Sequence, residues 1–102
     1  MNIKTIYLMK RIFKYNLSIC DKQFVEMPKG AQILSVAIQG NSVKMWALVD
    51  PDAEKEKRPI ICHGTGHDAS DVTADMFIGT ILTYCDSLVF HFFDPQKGRN
   101  ND

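Results

Sequence analysis

The sequence has few cysteines, no long apolar run and no net charge, and each shortfall excludes something. Cys20, Cys62 and Cys85 are three in number, with no C-x-x-C spacing. That leaves no disulfide framework and points to unpaired thiols in a reducing compartment. No stretch reaches the roughly 20 apolar residues of a spanning helix. In the opening MNIKTIYLMKRIFKY, Lys4, Lys10 and Arg11 interrupt any secretion-type apolar segment. Twelve basic and twelve acidic side chains give a formal net charge of +0, so no overall field draws in nucleic acid and its direct binding is not expected. An H-E-x-x-H pair, a Walker-type G-K-[ST] loop and a G-x-G-x-x-G fingerprint are all missing.

What remains is an ordinary globular composition, 45% hydrophobic and 24% charged over 102 residues, enough for one domain with a single core. The dominant period is two. In RIFKYNLSI, Phe13, Tyr15, Leu17 and Ile19 share one face and Lys14, Asn16 and Ser18 the other, the mark of a half-buried strand. QILSVAIQ places Leu34, Val36 and Ile38 together, and Gly40-Asn41 then separates it from SVKMWALVD. A Gly-Asn pair between two alternating runs predicts a hairpin, over about 32–39 and 43–50. Pro51 ends the second strand, and PDAEKEKR is expected to be an exposed connection. RPIICHG reads as a short strand, HDASDVTADM as a loop, and FIGTILTYCDSLVFHFF as a last hairpin over about 77–84 and 88–93 that turns at CDS. A short strand is also expected at KQFVEMP.

The expected fold is therefore all-β and mainly antiparallel, a small meander barrel or two-layer sandwich of five or six strands. It has room for at most one short helix, in ASDVTADM, where Ser70 or Asp71 would cap the first turn. Residues 1–9 are expected to form a flexible extension, 10–94 the single β domain, and 95–102 a disordered tail. Trp46, in the middle of a hairpin strand, is expected to fill the core or cover its open end, the alternative being an exposed recognition platform. Phe90 and Phe92 fall on one face of the last strand and Phe93 on the other, making LVFHFF the candidate oligomer contact.

The stretch IICHGTGHDASD raises the question of chemistry. Three readings apply to it. A metal centre would need three or four convergent ligands. Gly64 and Gly66 disfavour the helix that would bring His63 and His67 together, and Cys62 and His63 point to opposite sides of a strand, so no metal ligands and no cofactor are expected. A phosphate nest could form from the Gly-Thr-Gly backbone with Thr65 and His67 as polar contacts. Nucleophilic catalysis by Cys62 or Cys85 lacks an orienting group and an oxyanion hole, so no enzyme activity is expected. The simplest reading is a tight turn.

Charge is unevenly distributed. Residues 1–30 hold six basic and two acidic side chains (+4), and 31–93 hold four basic and eight acidic (−4). Asp50, Asp52, Glu54 and Glu56 lie in one predicted loop and Asp68, Asp71 and Asp75 in another. They are either solvated loops or an acidic surface for a basic partner. The candidate binding residues are thus Asp50, Asp52, Glu54, Glu56, Gly64, Thr65, Gly66, His67, Asp68 and Asp71.

Five words of the sequence, MPKGAQILSV (27–36), WALVDPDA (46–53), GTGH (64–67), FIGT (77–80) and LVFHFFD (88–94), resemble in that order a family of small bacteriophage proteins known only as a domain of unknown function. The family pattern runs M-P-K-G-A-x-I-L-S-V, W-A-L-V-D-P, G-T-G-H, Y-I-G-T and V-F-H. Phe77 stands here for its tyrosine, Cys62 also departs from it, and the likeness covers nearly all of residues 10–94. The resemblance implies a phage or prophage origin and action in the cytoplasm of an infected host, and it carries no catalytic residue over. The expected function is a non-enzymatic accessory protein that inhibits a host defence factor, such as a CRISPR effector, by protein contact, possible homodimerisation included. The rival expectation is a sponge that sequesters a small signalling nucleotide near GTGH.

Overall fold

The alternating runs form strands throughout. The computed structural model describes residues 9–83 and 85–97. Its seven strands are β1 (Arg11–Leu17), β2 (Lys22–Pro28), β3 (Gln32–Gln39), β4 (Ser42–Val49), β5 (Lys55–Gly64), β6 (Phe77–Thr83) and β7 (Leu88–Phe93). All seven segments read as strands form, one more than the upper end of the expected five or six, and the two short ones, KQFVEMP and RPIICHG, pair with each other, from Lys22 opposite Ile61 to Pro28 opposite Lys55. That pairing also pulls residues 55–58 out of the expected exposed connection and into β5, with Arg58 buried. All pairs are antiparallel, in a three-stranded sheet ordered β1-β4-β3 and a four-stranded sheet ordered β2-β5-β7-β6. The architecture is all-β and two-sheeted, and hairpins join only β3 to β4 and β6 to β7 within a sheet.

Gly40 takes φ +67 at the first central position of the β3–β4 turn, as a type II′ hairpin requires. In the β6–β7 turn Cys85 and Asp86 carry the positive φ, at 56° and 70°.

The core lies between the sheets. β4 contributes Val43, Met45, Ala47 and Val49, β5 Ile60 and Cys62, β6 Ile78 and Ile81, and β7 Phe92. β3 departs from strict alternation: a bulge between Ile33 and Ser35 resets its phase, so Ile33 and Val36 face inward. Leu34, expected inside with Val36, sits at the bulge and is exposed, because the extra residue breaks the alternation between the two. Ile38, also expected inside, keeps the phase of Val36, opposite Val43, but is 39% exposed near the end of the strand. Ile19 lies past the end of β1 and is exposed. β6 comes against β3 at Gly79, where an added Cβ would stand 3.1 Å from Val36 Cβ and 3.2 Å from its backbone nitrogen and oxygen. The two sheets meet along this seam.

Among the described residues the one helix is a 3₁₀ turn, Ala74–Met76, with Thr73 at its N-cap and no side-chain cap bond. Ser70 and Asp71, the expected caps, are turned to other partners, Asp68 and His63. At the C-terminal side Asp94 is buried, its amide bonds Met76 O at 2.8 Å, and Lys97 N closes a turn on Asp94 O. That turn occupies 95–97 of the expected tail. Residues 1–8 of the expected extension and 98–102 of the tail lie outside the described residues.

Tyr15 faces inward on β1, beside Phe13 at 6.5 Å between ring centroids. Its hydroxyl is buried without a partner among the described residues, and burial raises its pKa. An unsatisfied buried hydroxyl costs about 1–3 kcal/mol, so Tyr15→Phe is expected to raise the urea midpoint of unfolding. A midpoint unchanged or lowered would show that the hydroxyl is solvated.

Candidate functional site

β5 ends at Gly64, and there the two glycines of GTGH turn the chain back over the sheet mouth. The His67 ring lies on Gly64, where a Cβ would stand 3.2 Å from its Cε1 and Nδ1. A side chain at this position would require the exposed His67 ring to shift by a few tenths of an ångström. Cys62 points into the core and His63 outward, as strand alternation requires. His63 is paired in register with His91 of β7, which in turn faces Thr80 of β6. Both nitrogens of His91 are held: Nε2 lies 2.7 Å from Thr65 Oγ1 and Nδ1 2.9 Å from Thr80 Oγ1. His63 Nε2 lies 2.7 Å from Asp71 Oδ1, and its ring is 6.2 Å from that of Phe93. Asp68 accepts bonds from the Ser70 hydroxyl and amide, which lower its pKa.

The His67 N to Gly64 O bond closes a tight turn at Gly-Thr-Gly, and the alternative, an anion nest, has few free amides left. Thr65 N donates to Val89 O at 3.2 Å and His67 N to Gly64 O at 3.1 Å, so two of the amides that would cradle an anion are already satisfied. Gly64, Thr65 and His67 instead rim a cleft of about 370 Å³ whose remaining lining is Ser87, Leu88, Val89 and Phe90. A second recess of about 150 Å³, lined in part by Cys20, Asp21, Cys62 and Phe90, shares Gly64 and His67 with it. Such a mouth of a β-shell, apolar at the base with a few polar groups at the rim, is a common setting for small-ligand sites. Among the described residues no three His, Cys, Asp or Glu side chains converge as a metal site would require.

The other nominated residues divide. Asp50, Asp52, Glu54 and Glu56 gather at the start of β5, where Asp52 N bonds Asp50 Oδ1 at 3.0 Å and Glu56 lies 3.8 Å from Arg58. Asp68 and Asp71 flank His63 near its other end. About 30 Å of strand separates the two ends, so the acidic loops do not form one surface. Phe92, nominated as an oligomer contact, is fully buried at 0% exposure and cannot be one in the folded chain. Phe90 packs against the core and lines the cleft, while Phe93 lies on the outer face with its ring 5.9 Å from that of Phe77. Sequence reasoning missed Leu88, Val89 and His91 as site residues. Strand alternation places them on β7, but only the β5–β7 register sets them against GTGH.

Cys62 is 3% exposed, and burial, followed by the nearby Cys20 and Asp21, pushes its thiol up to about 11 from an ordinary 9.0. The folded state therefore holds this proton more tightly than the unfolded chain. Its contribution to stability is intact below pH 9 and is lost as pH rises towards about 11. The expected result is that at pH 8 iodoacetamide labels the exposed Cys20 and Cys85 but spares Cys62 until the protein is unfolded. Mass spectrometry of the labelled peptides checks this, and prompt labelling of Cys62 would refute its burial.

The model of one protein family, described as "Domain of unknown function (DUF7352)", matches residues 9–102. The chain belongs to that family. No curated protein and no solved structure matches it.

Proposed function

We propose that this is a non-catalytic binding protein whose ligand site is the GTGH cleft, and that it sequesters a small molecule there. The family supplies no activity, so the reading rests on one observation: β5 and β7 bring Thr65, His67 and the apolar Leu88, Val89 and Phe90 around a single cleft of about 370 Å³. Because the Thr65 and His67 amides are already bonded, the cleft suits the planar base of a signalling nucleotide better than its phosphate. The His67 ring is exposed and has no hydrogen bond among the described residues, so it is available to stack on or bond that base.

The test is thermal unfolding against a panel of cyclic and linear nucleotides. A ligand at 100 times its Kd should stabilise by about 2.7 kcal/mol. Leu88→Asp, at a position 44% exposed, should keep the fold and abolish the shift. A flat response across the panel would remove the sponge reading.

A second reading, of a phage protein that inhibits a host defence factor by contact, has a different support. On the outer face of the four-stranded sheet Phe24, Phe77 and Leu82 are exposed at 60%, 40% and 46%, and aromatic residues dominate binding hot spots. Here the expected result is a stoichiometric complex with a host factor, such as a CRISPR effector, that is lost in Phe77→Asp. Phage fitness unchanged by that substitution in defended hosts would count against it. Among the described residues no helix is long and apolar enough to cross a membrane.

A further inference from the structure

The three strands β1, β4 and β3 contain no aspartate or glutamate, and their charges are Arg11, Lys14 and Lys44. Whole-chain neutrality conceals this, because the carboxylates of the described residues lie in loops, turns and the other sheet. With Val43, Met45, Ala47 and Val49 committed to the core, Lys44, Trp46 and Leu48 must point outward. The expected placement of Trp46 in the core is thus corrected: it is half-buried on the outer face. Pairing lines up that face in rows, Ile12–Leu48–Gln32, Lys14–Trp46–Ser35 and Asn16–Lys44–Ala37. Lys14 Nζ bonds Gln39 Oε1 at 2.8 Å and Lys44 Nζ bonds Asn16 Oδ1. Both ammonium groups are held over the sheet by neutral amides, so their charge is uncompensated on this face.

We propose that this face binds single-stranded nucleic acid, with a base stacked on Trp46 and backbone phosphates on Lys14 and Lys44. An open antiparallel sheet with a central aromatic, flanking cations and neutral hydrogen-bonding side chains is the arrangement that accepts a single strand. Stacking is tolerant of sequence, the cations follow the backbone, and amides such as Asn16, Gln32 and Gln39 can meet base edges. A duplex presents no unstacked base and would leave Trp46 without a partner. An acidic polypeptide would satisfy the lysines but would not use the aromatic plane or the amides.

Trp46 is the single tryptophan of the chain, so its fluorescence reports on this face alone. Titrating the full chain with short oligo-dT and oligo-U at low salt should quench that fluorescence. The affinity should fall with a slope of about −1.4 in log K against log salt if two phosphates are neutralised. Trp46→Ala, which removes the fluorophore and is therefore read by the anisotropy of a labelled oligonucleotide, should weaken binding about 5- to 150-fold, the loss of one stacked base. The pair Lys14→Glu with Lys44→Glu, which keeps the aromatic and replaces side chains that contribute nothing to the core, should weaken binding and flatten the salt slope. Leu88→Asp, in the GTGH cleft, should leave binding unchanged, which separates this site from that one. Absence of quenching, equal affinity in the lysine double variant, or equal competition by duplex would overturn the proposal. So would displacement of the oligonucleotide by poly-glutamate at comparable concentration, which would reassign the face to an acidic polypeptide.

Discussion

Asp94→Ala is expected to cost about 3–5 kcal/mol, the range for breaking a buried ion pair by removing one partner. Arg58 and Asp94 are 3% and 2% exposed, and Arg58 Nη2 donates to Asp94 Oδ2 at 2.8 Å. Arg58 Nη1 also donates to Ala31 O at 2.7 Å, so one guanidinium ties the turn after β2, the strand β5 and the end of β7. Removing the carboxylate leaves a buried cation facing only Ala31 O and the Glu56 carboxylate 3.8 Å away. A domain of this size has a total stability of about 5–15 kcal/mol, so the loss consumes a large part of it. Urea denaturation monitored by far-ultraviolet dichroism measures the effect. Arg58→Met combined with Asp94→Leu should recover much of it, since no lone charge then remains inside. A cost for Asp94→Ala below about 1 kcal/mol, the range of exposed pairs, would mean that water reaches the pair.

Phe92→Ala should cost about 3–5 kcal/mol, because it removes a ring at 0% exposure and leaves a cavity that the two sheets cannot close. The same substitution separates two roles that the sequence allows for this residue. As a surface contact between copies, Phe92 could be truncated with about 0.5 kcal/mol or less of change in the monomer, and the loss would appear as a change of oligomeric state. As a core residue it changes the denaturation midpoint at every protein concentration. Measuring that midpoint across a range of concentrations distinguishes them. A concentration-dependent midpoint would return Phe92 to an interface.

The legible part of the fold was the part encoded locally. Alternation in β1 and β4, the Gly40-Asn41 turn and the polar stretch before Phe77 each rest on neighbours within a few residues, and each forms as read. The errors share a different cause. Leu34 is misplaced because the bulge in β3, which turns it outward, depends on how the strand meets β4 and β6, whereas Ile38 keeps the inward phase of Val36 and is exposed only because it lies near the end of the strand. Trp46 was weighed by its type when the inward phase of Val43, Met45, Ala47 and Val49 already assigned it to the outer face. Arg58 was read as part of a solvated charge run because its partner is 36 residues away. Of the candidate site, Gly64, Thr65 and His67 were found by composition, whereas the cleft they rim needed β7 beside β5.

By itself the sequence determined an all-β chain, most of its strand boundaries, the inward phase of β1 and its membership of a family without assigned activity. Those properties follow from short-range periodicity and turn chemistry, which act along the chain. Only the tertiary structure decided which strands are neighbours, that the two acidic loops lie at opposite ends of β5, and that one sheet carries cations with no carboxylate. Pairing between distant strands sets those relations, and it depends on contacts that no local pattern of residues records.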